Sequence, residues 1–268
     1  MGHYYNHDQE PCHQVPNASK PGQMRDTNVG DARKLNLCPS STGIVGMANA
    51  PGLNYWKEGQ LLDAGWETSM DYITREVWKS RCRDIAAEEL NKTSEIGTFI
   101  HSCMEAIALT RPLPTDPYGY PEDMFQSMYE WWNESGLWTI YAEKPFCHPL
   151  GFGGSMDLFA RHEESGRDVV CDYKSKDTKG KPLSRLIQRG SMPIQLASYL
   201  EGIKYVLSLD GMYVENPLLK TVIISRDEPG RIEEYDWPEE EYGLYWEEFK
   251  HRLGLWIYEN KYDPKWEG

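Results

Sequence analysis

The chain has 268 residues, of which 40% are hydrophobic, and it contains 10 Trp and 17 Tyr. This composition excludes an intrinsically disordered protein, since disordered chains are poor in aromatic residues, and the length fits one elaborated domain better than two. The formal net charge of −14 argues against a general nucleic-acid binder with a basic surface, so a nucleic-acid ligand would require a local basic patch or bound metal cations.

Membrane and disulfide-rich classes are also disfavoured. No run approaches the roughly 18 to 20 apolar residues of a membrane span, and the N-terminal stretch lacks the apolar segment of a signal peptide. We therefore expect a soluble, cytoplasmic protein without membrane contact. The six cysteines, at positions 12, 38, 82, 103, 147 and 171, form no C-x-x-C pair, and we expect reduced and mostly buried thiols.

Helical patterns dominate the first half of the chain. Residues 1–38 are polar and rich in Pro, Gly and Asn, which predicts an extended N-terminal arm lying on a single domain formed by residues 39–268. A Ser-Ser-Thr run suited to helix N-caps and a break at Pro51 predict two short helices. Longer helices are predicted at residues 69–91, 94–109 and 122–135.

The hydrophobic period then changes from helical to strand-like. Runs at 137–148, 151–162 and 167–176, the last two joined by an EESG turn, predict an antiparallel meander. A helix at 191–210, strands at 218–227 and 230–237, and a helix at 239–259 complete the chain. This order predicts an α/β fold with a central mixed β-sheet flanked by helices and with helical N-terminal and C-terminal additions.

The stretch VVCDYKSK places an acid and a base on one face of a strand. Asp172 and Lys174 share that face, whereas Tyr173 points to the other. A surface ion pair of this kind would contribute only about 0 to 1 kcal/mol. It would not account for Asp157 on the neighbouring strand, and two carboxylates brought together repel each other unless a cation lies between them.

Two helices add polar residues at one-turn spacing. GTFIHSCMEA carries His101 and Glu105, with Gly97 allowing a close approach to a neighbour, and QLASY carries Gln195 and Tyr199. Carboxylates, one imidazole and a backbone carbonyl suit Mg²⁺ or Mn²⁺. A lysine beside a metal-bound water is the arrangement used in metal-dependent phosphodiester hydrolysis. A lone histidine is more often a core or surface residue, and Glu105 is either a solvated acid or a further ligand.

In this order the four motifs GTFIH, GSMD, CDYKSK and QLASY resemble the PD-(D/E)XK nuclease superfamily, in the branch of RecB-like and phage-type exonucleases. LCPSSTGIVGMANAPGLNYW is similar to the N-terminal region of phage-type members, so the resemblance covers roughly residues 38–205. It implies a restriction-endonuclease-like core with its catalytic part at about residues 94–207.

The resemblance also implies roles for individual residues. The implied metal ligands are His101, Asp157, Asp172 and the backbone carbonyl of Tyr173, with Glu105 left open. The implied catalytic set is Asp157, Asp172, Lys174, Gln195 and Tyr199, of which the last two support the site or touch the substrate. Some relatives hold an iron–sulfur cluster with three cysteines after the core; no cysteine follows Cys171, so we expect no cluster.

A cluster of cations follows the third strand of the meander. Its members, Lys176, Lys179, Lys181, Arg185 and Arg189, are either a solvated surface or contacts to a phosphate backbone. We expect a Mg²⁺-dependent DNA exonuclease of phage-type recombination, replication or repair, with DNA as substrate and a phage recombination or single-strand-binding protein as partner. The alternatives are a structure-selective or sequence-specific endonuclease and a catalytically silent, nuclease-like DNA-binding protein.

Overall fold

A computed structural model describes residues 3–48, 51–71 and 73–266 of the protein. Its first part consists of β1 (Tyr4–Tyr5), β2 (Gln14–Pro16), β3 (Met24–Asp26), α1 (Val29–Leu35) and β4 (Cys38–Pro39). Strand β1 pairs with β4, and β2 pairs with β3. Strand β1 lies close to the chain at Gly153, where an added Cβ atom would be 2.8 Å from Tyr5.

The arm is not wholly extended, because it contains helix α1. The side chain of Asn28 accepts hydrogen bonds from the amides of Gly30 at 2.8 Å and Asp31 at 3.1 Å, and the Asp31 carboxylate accepts one from the Asn28 amide at 3.0 Å. This capping box satisfies amides of the first turn that would otherwise lack partners. Local polar contacts therefore start a helix where the hydrophobic pattern is too weak to predict one.

Helices α2 (Ser41–Val45), α3 (Pro51–Glu67) and α4 (Arg75–Ala108) follow. Helix α2 is short as predicted, whereas α3 has 17 residues. The two helices predicted at 69–91 and 94–109 are one helix of 34 residues, which begins after the cap Thr74. No proline interrupts it, and the internal Gly97 costs only about 1 kcal/mol relative to Ala, which the packing of α4 can offset.

The second half of the chain forms the central sheet and its remaining helices. The elements are α5 (Glu122–Glu134), β5 (Leu137–His148), β6 (Phe152–His162), β7 (Asp168–Lys176), α6 (Leu183–Leu186), α7 (Met192–Leu209), β8 (Leu218–Ser225), β9 (Ile232–Asp236) and, after a 3₁₀ turn, α8 (Tyr242–Asn260). The strand order is β5-β6-β7-β8-β9, with β7 and β8 parallel and the other pairs antiparallel. The predicted meander and mixed sheet are confirmed.

Helices cover both faces of this sheet. On one face the core includes Phe146, Val170, Leu196, Ile203 and Phe249, contributed by the sheet, α7 and α8. On the other face it includes Ile100, Met104, Met128, Leu158 and Val222, contributed by α4, α5 and the sheet. A strand buried on both faces has no water available for its polar side chains, so polar residues within it need partners from the protein or a ligand.

The cysteines are free thiols, and five of the six are buried, as expected. None of the described helices combines the length and apolarity needed to cross a bilayer.

Candidate metal centre

The site lies where strands β6 and β7 separate. Their pairing runs from Arg161 opposite Asp168 to Leu158 opposite Cys171 and ends there. Just beyond this point the backbone amide of Tyr173 donates a hydrogen bond of 2.7 Å to Oδ2 of Asp157. A carboxylate thus replaces the strand-to-strand hydrogen bond.

Strand β5 is irregular at the same level of the sheet. Glu143 has a φ of +47° within the strand, a left-handed conformation that costs a non-glycine residue on the order of 1 kcal/mol or more. In the register Ala142 lies opposite Leu158 and Lys144 opposite Met156, which places Glu143 across from Asp157. The hydroxyl of Ser155 donates to Oε2 of Glu143 at 3.2 Å. The distortion therefore brings a third acidic strand residue to the site.

Helix α4 brings His101 to these acids. Its Nδ1 lies 3.5 Å from Oδ2 of Asp157, and one ligand atom each from His101, Glu143 and Asp157 lie within 4.8 Å of one another. An imidazole and two carboxylates at this separation form a possible metal-binding triad. Glu143 is a member of the triad that the sequence motifs do not predict. An acid within the aromatic strand TIYAEKPF was the available signal, but only the strand distortion places its side chain here.

Gly97 explains how α4 reaches the sheet. A Cβ atom at this position would lie 3.2 Å from Oγ of Ser175 at the end of β7, so a larger residue would require a shift of the serine or the helix. Gly97 lies one turn before His101 on the same side of α4. The close approach expected at this glycine is therefore present, and it sets the depth at which the imidazole enters the site.

Asp172 and Lys174 form the predicted pair on one face of β7. The ammonium donates to Oδ1 of Asp172 at 2.8 Å, and it also lies 2.7 Å from Oδ2. Gln195 of α7 accepts a 3.2 Å hydrogen bond from Lys174 and donates one of 3.2 Å to Asp172. Its amide also donates to the hydroxyl of Tyr199 at 2.5 Å. The structure thus joins four of the predicted site residues in one hydrogen-bonded network.

One oxygen of this network has a single contact in what the structure describes, to the Lys174 ammonium at 2.7 Å. Among the described residues no group donates a hydrogen bond to Oδ2 of Asp172, although the side chain is only 1% exposed. The nearby Lys174 donates to Oδ1 instead. A carboxylate oxygen has two lone pairs, so a further ligand can share Oδ2 with the ammonium.

Burial shifts the pKa values of these acids. It raises the pKa of Asp172 to about 6 although Lys174 opposes the shift, and burial together with Asp157 raises the pKa of Glu143 to about 7. For Asp157, burial acts upwards, but the charge of His101 holds the pKa below its ordinary value. The pKa of His101 is raised by Asp157 against the effect of burial. Buried acids crowded in this way would be stabilised by a divalent cation.

The triad borders an open cleft of about 850 Å³ between the N-terminal region, α4 and the central sheet. Glu105, Trp56 and Arg226 also line it. Glu105 is not one of the triad residues, and its carboxylate lies 3.6 Å from a guanidinium nitrogen of Arg111. Its role as a ligand, like those of Asp172 and the Tyr173 carbonyl, remains a prediction.

The cations predicted to contact DNA have different surroundings. Lys176 is partly buried and donates to the carbonyl of Leu186 at 3.1 Å, and burial lowers its pKa to about 8. Arg189 lies 3.4 Å from a carboxylate oxygen of Glu241. The exposed members are Lys179, Lys181, Arg185 and Arg189. Lys176 and Arg189 would have to leave protein contacts to bind phosphate.

No protein-family model matches this chain, and no curated protein is similar to it. The resemblance to nucleases therefore rests on the sequence motifs.

Proposed function

We propose that the protein is a Mg²⁺- or Mn²⁺-dependent deoxyribonuclease with a restriction-endonuclease-like core of the PD-(D/E)XK type, and that it degrades DNA from its ends. The observation that carries the proposal is the convergence of two residue sets where β6 and β7 separate. One set is the His101–Glu143–Asp157 triad, and the other is the Asp172–Lys174 pair. A role in phage-type recombination, replication or repair, together with a recombination or single-strand-binding protein as partner, rests on the motif resemblance.

The donor set fits a hard divalent cation. The triad offers one imidazole nitrogen and carboxylate oxygens but no thiolate, and within the described part of the chain Oδ2 of Asp172 contacts only the Lys174 ammonium. His101, Glu143 and Asp157 would hold the ion, with Asp172 and the Tyr173 carbonyl as the further predicted ligands. When bound, the ion would supply Lewis-acid stabilisation of the phosphoryl group and lower the pKa of a coordinated water.

Lys174 is the residue suited to act on the reacting water. Its ammonium is held by Asp172 and Gln195, yet the side chain remains 26% exposed. In this position Nζ can donate a hydrogen bond to the attacking water and offset the negative charge that develops on the phosphoryl oxygens. Tyr199 accepts from the Gln195 amide, which leaves the Gln195 carbonyl facing the ammonium. Gln195 and Tyr199 therefore act as positioning residues.

Digestion of DNA labelled at the 5′ or the 3′ end tests the proposal. In Mg²⁺, the protein should degrade linear DNA, leave covalently closed circles intact and stop when a chelator is added. Lys174→Ala and Asp172→Ala should each lower the rate by at least roughly 100-fold, the scale at which loss of one electrostatic or acid–base group is felt. Lys204→Ala, at an exposed lysine paired with Glu201 on α7, is the matched control and should retain activity.

The same assay separates the alternatives. Cleavage of closed circles would indicate an endonuclease on this core. Metal and DNA binding without turnover would indicate a silent, nuclease-like binding protein. Full activity of either Lys174→Ala or Asp172→Ala would contradict the proposed chemistry.

A further inference from the structure

Helix α4 extends beyond the sheet on the side that carries His101. Arg83 precedes His101 by 18 residues, which at 3.6 residues per turn is five whole turns. The two side chains therefore leave the helix on the same side, about 27 Å apart at 1.5 Å per residue. The face that borders the cleft continues, without a break in the helix, to Arg83.

Three cations wind slowly away from this line on α4, and we call Arg75, Lys79 and Arg83 the basic stripe: Arg83 is in line with His101, Lys79 is rotated by about 40° and Arg75 by about 80°. They are spaced one turn apart, and Arg75 lies about 39 Å from His101 along the helix. Within the described ranges none of the three has an ion-pair or hydrogen-bond partner for its side chain. One acid, Glu76, is exposed about 20° from the His101 direction at the far end of the stripe and pairs with none of the three cations. In a chain with a net charge of −14, three unpaired cations in a row indicate a site for an anionic ligand.

The helix between the stripe and the triad carries no acid on this side. The residues that face the same way are Ala87, Leu90, Ser94 and Gly97, all of them uncharged. Ser94 and Gly97 already line the cleft. A polyanion that enters the cleft would therefore meet no like charge on α4 before it reaches Arg83.

We propose that the basic stripe binds the phosphate backbone of the nucleic-acid strand outside the cleft. This inference rests on the proposed nuclease function. A stacked strand advances about 3.4 Å per nucleotide, so the contacts at Arg83 to Arg75 would lie roughly 8 to 12 nucleotides from the bond that is cleaved. Neutralisation of backbone phosphates supplies affinity that is independent of sequence and sensitive to salt. The stripe would thus favour long substrates without taking part in the chemistry.

Two double charge-reversal variants, one on each side of α4, test whether the basic stripe binds the phosphate backbone. Lys79→Glu/Arg83→Glu alters the stripe, and Arg81→Glu/Lys92→Glu makes the same change of charge on the opposite side of the helix. We expect the first variant to lose at least about tenfold in kcat/KM on a strand of about 30 nucleotides, with trinucleotide cleavage changed less than about twofold. The slope of log affinity against log salt should become shallower by about 1.4 to 1.8, as expected for two contacts. The control variant should match the wild type.

Binding of the long strand without metal, measured by fluorescence anisotropy, provides a readout that does not require cleavage. A loss of binding in the stripe variant but not in the control supports binding of the phosphate backbone by the basic stripe. This holds even if the wild type cleaves no DNA, and absence of cleavage would overturn only the proposed function. Equal binding of DNA by the two variants would overturn the role of the basic stripe. An equal loss of kcat/KM on the trinucleotide and on the long strand would do the same. If the stripe variant binds DNA normally but loses binding to poly-glutamate, the ligand is an acidic protein segment instead.

Discussion

The two halves of helix α4 have the same secondary structure but different surroundings. In the second half, Ile100 and Met104 are fully buried against the sheet, and His101 enters the site from the same segment. In the first half, Val77 and Ile85 remain 43% and 39% exposed, and the buried contacts with α3 involve the small residues Cys82 and Ala86. The half fixed by the core thus carries the histidine of the possible metal-binding triad, whereas the other half leaves most of its surface exposed.

The largest effect on stability is expected from the core of the second half. Ile100→Ala should lower the free energy of unfolding by about 2 to 5 kcal/mol, because it removes a fully buried side chain and leaves a cavity. Val77→Ala in the first half should change it by about 0.5 kcal/mol or less. Urea denaturation of both variants measures the difference. Equal losses would mean that the two halves contribute equally to the fold.

Part of the pH dependence of the folding stability should come from His148, at the end of β5. His148 packs between the rings of Phe152 and Tyr205, and burial lowers its pKa from 6.5 to about 4 although Glu201 opposes this. The unfolded chain then binds the proton more tightly, so this contribution is complete above pH 6.5 and is lost as the pH falls towards 4. His148→Phe, which keeps an aromatic ring, should reduce the loss of stability between pH 7 and 4.5 by about 2 kcal/mol.

Urea denaturation of the wild type and of His148→Phe, each at pH 7 and at pH 4.5, measures this difference. An unchanged loss of stability would show that His148 titrates normally in the folded state.

Glu143 should matter for metal binding more than for folding. Glu143→Gln keeps the shape of the side chain but removes a charge from the triad, and we expect Mn²⁺ affinity to fall by roughly 10- to 100-fold. Isothermal titration with Mn²⁺ measures this. Glu259→Gln, at an exposed acid on α8, controls for the loss of one negative charge. Unchanged affinity in Glu143→Gln would remove this residue from the ligand set.

The smallest effects on stability are expected at two helical glycines, one on α3, which packs against the first half of α4, and one in the second half of α4. Gly59 of α3 has no atom within 4 Å of an added Cβ, so Gly59→Ala should stabilise the protein by up to about 1 kcal/mol. Gly97→Ala meets Oγ of Ser175 at 3.2 Å and should gain less stability while lowering activity, because His101 follows one turn later. Gly97→Ala/Ser175→Ala should recover activity. If the double variant remains slow, the loss of activity comes from the alanine in the helix and not from its contact with Ser175.

Several features could be predicted from local sequence. The alternation of a strand places Asp172 and Lys174 on one face, and helical spacing places Gln195 beside Tyr199. The three strands of the meander follow from their aromatic and β-branched runs and the EESG turn. These features depend on neighbours in the chain, and the period of each element is enough to determine them.

Other features required the tertiary structure. The position of Glu143 depends on a left-handed residue opposite Asp157, and the contact of Lys176 with Leu186 depends on how the chain returns after β7. The alignment of Arg83 with His101 exists only because α4 is continuous, whereas two separate helices would have left their relative rotation undefined.

The sequence by itself therefore determined which residues share a face within one element. The tertiary structure decided which faces meet, because strand separation, a strained backbone and close helix packing depend on contacts between residues distant in the chain.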